Sequence, residues 1–61
     1  MSLSQRETIM LWLAKEIVTC ESIKAEFQLK KEKELVTFYE GKIAAYKVLL
    51  NKLSIWEKLI N

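Results

Sequence analysis

The apolar positions of this chain form two long periodic stretches separated by one short polar segment. From Val36 to Ile60 a column recurs every seven residues, Tyr39, Tyr46, Leu53 and Ile60, beside a second column of Val36, Ile43 and Leu50. Seven-residue recurrence with an apolar pair per repeat is the pattern of a helix packing along another helix. Toward the N-terminus the main stripe is Met10, Leu13, Ile17, Cys20 and Phe27, flanked by Ile9, Ile23 and Trp12. A weaker stripe of Leu11, Ala14, Val18, Ala25 and Leu29 falls on a different side of the same helix, given about 100° of rotation per residue. The pattern predicts a first helix over about 4–29, a bend at about 30–33 and a second helix over about 34–60.

Ser4-Gln5-Arg6-Glu7 matches a capping box, in which the serine hydroxyl and the glutamate carboxylate satisfy unpaired backbone amides at a helix start. Thr37-Phe38-Tyr39-Glu40 matches it too, which offers the second helix a later start. The polar segment Gln28–Glu34 consists of helix formers, so no residue there demands a turn. One continuous helix therefore stays open beside a hairpin. Two features favour the hairpin. A continuing helix would set the two main stripes roughly 80° apart. Folding near Lys31 instead aligns them in layers: Met10 with Leu53, Leu13 with Leu50, Ile17 with Tyr46, Cys20 with Ile43, and Phe27 with Val36.

The second helix is apolar over a wide arc. Away from the Tyr39 column lies a patch of Gly41, Ala44, Ala45, Val48 and Ile55, continued by Leu59, while polar residues gather at Glu40, Lys47, Asn51 and Lys58. With Leu11 and Val18 of the first helix, this patch is the expected oligomer interface. The hairpin core is expected to be Met10, Leu13, Ile17, Cys20, Phe27, Val36, Tyr39, Ile43, Tyr46, Leu50, Leu53 and Ile60. Each helix then has more apolar face than one partner helix can cover. The expected architecture is all-α: a single small domain over 1–61, folded as an antiparallel, coiled-coil-like hairpin that dimerises into a four-helix bundle.

Composition reinforces this. A chain of 61 residues buries only about 60% of its unfolded surface, so small folds lean on disulfides, metals or assembly. One cysteine cannot form an internal disulfide, and there is no histidine for a zinc site. The apolar share is nonetheless 51%, which leaves assembly as the source of the missing burial. With no proline, no aspartate and one glycine, strands and tight turns are disfavoured. Ile9–Ala14 is the longest strongly apolar run and far short of the roughly 20 residues of a membrane span. Ser2–Thr8 carries both Arg6 and Glu7 and lacks the form of a signal peptide. A free cysteine fits a reducing compartment, and a cytoplasmic location is the expectation.

Candidate chemistry is sparse. No catalytic, cofactor-binding or metal-ligating residues are expected: triads and phosphate loops need histidine, aspartate or glycine runs, and the glutamates show no inward cluster. Cys20 reads as a small buried apolar group; a redox role would need an exposed thiolate beside a cation, and only Lys24 is near. Tyr39 and Tyr46 read as packing residues whose hydroxyls reach the bundle edge or a buried partner. Gly41 with Ala45 would let a neighbouring backbone come close. Trp12 and Trp56, brought to one end by a hairpin, form a possible partner surface. Lys30, Lys31 and Lys33 are interleaved with Glu32 and Glu34, a solvated bend rather than a polyanion site, and the net charge is only +2. Glu26 four residues before Lys30 supports helix.

In size and expected hairpin architecture the chain resembles the plasmid-encoded Rop family, dimers of helical hairpins that help RNA hairpins pair; the likeness is of architecture, which does not carry function. The function expected is a non-enzymatic, self-associating protein–protein interaction module of adaptor or inhibitor type. The alternative is a Rop-like nucleic-acid-binding regulator acting through bundle-face cations such as Arg6, Lys24 and Lys31, with steeply salt-dependent binding. A weaker third reading, membrane-surface association through Ile9–Ile23, lacks the lysine-rich polar face such helices carry.

Overall fold

Ser4 opens the first helix from outside it. Its backbone is extended (φ −67°, ψ 162°), and its Oγ accepts a hydrogen bond from the Glu7 N–H at 3.1 Å. The capping box is half formed: the Glu7 carboxylate accepts from the Ser4 hydroxyl at 3.0 Å, rather than from a backbone amide. Thr8 adds a bond from its Oγ1 to the Ser4 carbonyl at 3.0 Å. Helix α1 runs Gln5–Leu29, so Ser4 is its cap and not its first residue. The computed structural model describes residues 3–60, with side chains over 3–56; Ile60, assigned above to the core, and Lys58 and Leu59 have side chains outside that range.

The chain then reverses. The Glu32 N–H donates to the Phe27 carbonyl at 3.0 Å and the Lys31 N–H to the Gln28 carbonyl at 3.1 Å, the paired bonds of a Schellman ending. That ending requires a left-handed residue just past the cap, a place glycine usually fills. Lys31 fills it here, with φ 61°. A side chain in that conformation costs roughly 1–2 kcal/mol, partly offset because glycine is freer in the unfolded chain. Lys31→Gly should therefore stabilise the fold by about 1 kcal/mol, read as a higher urea midpoint at unchanged slope, whereas Lys31→Ala should leave the midpoint in place. A midpoint that falls in the glycine variant would rule out a strained turn.

Helix α2 runs Lys33–Ile60, which confines the bend to three residues and places Thr37 inside the helix, not at its start. The two helices pack against each other as an antiparallel hairpin. Their contact line is built from the main stripes. Ile17, Cys20 and Ile43 form the buried cluster, with Tyr39, Tyr46 and Leu50 packed onto it. Leu13, about one helical turn before Ile17, is only 2% exposed. Phe27, expected opposite Val36, has its ring contact with Tyr39, one turn further along α2 (centroids 5.8 Å apart). The Cα trace measures 45 × 23 × 10 Å: a slab one helix thick, with two broad faces.

Candidate interaction surfaces

A slab of two helices can bury only the line where they touch, so everything off that line faces outward. At about 100° per residue the helices divide into residues turned toward one broad face and residues turned toward the other. The division is chemical as well. Trp12, Phe27, Tyr39 and Tyr46 line the valley of one face, with Phe38 and Trp56 at its outer margin, so all six aromatic residues share it. Trp12 meets Tyr46 edge-on across the valley at 5.8 Å, and Phe38 meets Tyr39 edge-on at 5.1 Å. Both arrangements suit the ring quadrupoles. The Lys42 Nζ lies 5.9 Å from the Phe38 ring centre and 5.7 Å from that of Tyr39, within reach of a cation–π attraction.

The opposite face carries small and aliphatic residues: Leu11, Ala14 and Val18 on α1, Ala44, Val48 and Ile55 on α2. Here the valley is crossed by charge instead of rings. Lys24 Nζ lies 3.9 Å from Glu40 Oε1, and Lys47 Nζ lies 3.9 Å from Glu21 Oε1. These pairs are long and solvated, each worth about 0–1 kcal/mol. Toward the free ends of the helices, Leu3, Met10, Leu11, Ala14 and Leu50 line an open hollow of about 490 Å³ with Glu7 at its edge.

The residues assigned to the hairpin core lie along the contact line or its margins. Leu13, Ile17, Cys20 and Ile43 are buried, and Met10, Phe27, Val36, Tyr39, Tyr46, Leu50 and Leu53 are half-buried. Those assigned to an oligomer interface, Leu11, Val18, Gly41, Ala44, Ala45, Val48 and Ile55, are all exposed. Gly41 and Ala45 point roughly 160° away from α1, along the outer edge of the slab. A methyl group at Gly41 would meet nothing within 4 Å, so no neighbouring backbone of this chain uses the glycine for close approach. Trp12 and Trp56 are both exposed, and Trp12 is tied to Tyr46.

Four participants on the aromatic face were not singled out by the sequence pattern: Leu35, Phe38, Lys42 and Leu49. A signal for three of them is present, since Leu35, Lys42, Leu49 and Trp56 recur at seven-residue spacing. The lysine interrupts the apolar column and hides it. The cations proposed for nucleic acid do not gather: Lys24 is engaged with Glu40, Lys31 lies in the bend, and Arg6 sits about 27 Å from Lys24 along α1. Cys20 is 2% exposed between Ile17 and Ile43, which shields its thiol from solvent oxidants. Among the described residues no three His, Cys, Asp or Glu side chains converge, and no helix is long and apolar enough to cross a membrane. Compared with protein-family models, curated proteins and solved structures, the chain matches none.

Proposed function

We propose that this chain is a self-associating helical interaction module, of adaptor or inhibitor type, that presents one helical face to another protein. The observation that carries this reading is the slab itself: one helix thick and apolar on both broad faces. A folded monomer of 7.2 kDa exposes about 4,100 Å² by the usual scaling, whereas this chain exposes 5120 Å². The excess, about 1,000 Å², is close to the roughly 800 Å² that one partner contributes to a standard interface. A second copy can cover one face in a closed pair and leaves the other for a different protein. Sedimentation equilibrium across the micromolar range should give twice the chain mass. A single-chain mass throughout would defeat the self-association on which the reading rests.

A further inference from the structure

We infer that the second copy docks on the aromatic face, not on the small-residue face that the spacing of apolar residues suggested; the inference rests on self-association and specifies its surface. In a four-helix bundle each helix meets its own hairpin partner and, about 90° around, a helix of the other hairpin. The valley between the two helices of each hairpin is then the most deeply buried strip. On the small-residue face that strip holds Lys24–Glu40 and Lys47–Glu21. Covering it would desolvate four charges held only by long contacts, a cost their mutual attraction does not repay. On the aromatic face the same strip holds the Trp12–Tyr46 and Phe27–Tyr39 ring pairs. Interface cores are enriched in aromatic residues and depleted of charge, and of the two valleys only this one is lined by rings without a crossing ion pair among the described residues.

Roughly 90° from the contact line both sides are mixed, with Trp12, Glu16, Ile23, Lys42 and Leu49 on this one and Ala14, Lys33, Ala44 and Asn51 on the other. Two further features agree. The rings already hold one another in place, so docking would fix few additional rotamers. The half-buried charges of the aromatic face, Glu16 and Lys42, are opposite in sign, and neither forms an ion pair among the described residues. Two copies of this face therefore present matched charges rather than a like-charge clash.

Leu49 and Val48 give a controlled test. They are neighbours on one helix, 50% and 54% exposed, and they turn to different faces. Leu49→Glu should weaken the dimer about 30-fold or more, and Val48→Glu should change its dissociation constant less than about threefold. Acrylamide quenching of the unmodified protein gives a readout that does not depend on the variants folding: Trp12 and Trp56 should become protected as concentration drives pairing. A dimer broken by Val48→Glu and spared by Leu49→Glu, or tryptophans equally quenched on both sides of the association midpoint, overturns the choice of face. A protein that is monomeric at every concentration overturns the self-association reading instead.

Discussion

Leu13→Ala should lower the unfolding free energy by about 3 kcal/mol, the middle of the range for deleting a fully buried leucine side chain. Leu13 is 2% exposed in a fold that fully buries very little, so the cavity has few neighbours able to close it. Against a total stability of about 3–9 kcal/mol for a domain this size, that loss removes a third or more. The measurement is a urea midpoint taken at one fixed protein concentration, because assembly would add its own stabilisation. Leu29→Ala is the control, since Leu29 is 84% exposed and its truncation should shift stability by less than about 0.5 kcal/mol. Equal effects at the two sites would mean that Leu13 does not pack against α2.

Ile43→Asp should abolish cooperative unfolding altogether. Ile43 is the α2 member of the buried cluster with Ile17 and Cys20, and Tyr39, Tyr46 and Leu50 close around it. A carboxylate there loses the apolar contact and is held at a site only 7% exposed, while the nearest cations, Lys24 and Lys47, extend toward Glu40 and Glu21 on the adjacent face. An unpaired buried charge costs several kcal/mol, comparable to the whole stability of the domain. Circular dichroism should show lost helicity and a melt without a sigmoidal transition. A variant that melts as sharply as the parent protein would place Ile43 outside the core.

These two expectations draw on what periodicity makes legible. Over 36–53 the residues of the heptad columns are those nearest α1, because the side of a helix a residue occupies depends only on its number and the helical repeat. The capping serine was readable for a similar reason: its hydroxyl bonds within four residues of itself, so the signal is local. The ring pairings were less legible. Phe27 pairs with Tyr39 and Trp12 with Tyr46 through the relative slide of two helices, a quantity that no single stretch of sequence encodes. The same holds for Lys24–Glu40 and Glu21–Lys47, whose partners are more than a dozen residues apart in sequence.

By itself, then, the sequence determined that the chain is helical, where α1 is capped, and which stripe of each helix turns toward the other. Helix propensity, capping and the 3.6-residue repeat act over short distances, so the residues state them directly. Only the tertiary structure decided that the chain reverses at the expected bend instead of continuing as one helix, and which of its two apolar valleys is crossed by ion pairs. The reversal rests on a left-handed Lys31, a conformation any residue can be held in when the backbone bonds around it are satisfied, so the segment carries no turn signature. The character of each face rests on which side chains meet across the valley, and that is fixed only when two helices, separated in sequence by the bend, settle into one register.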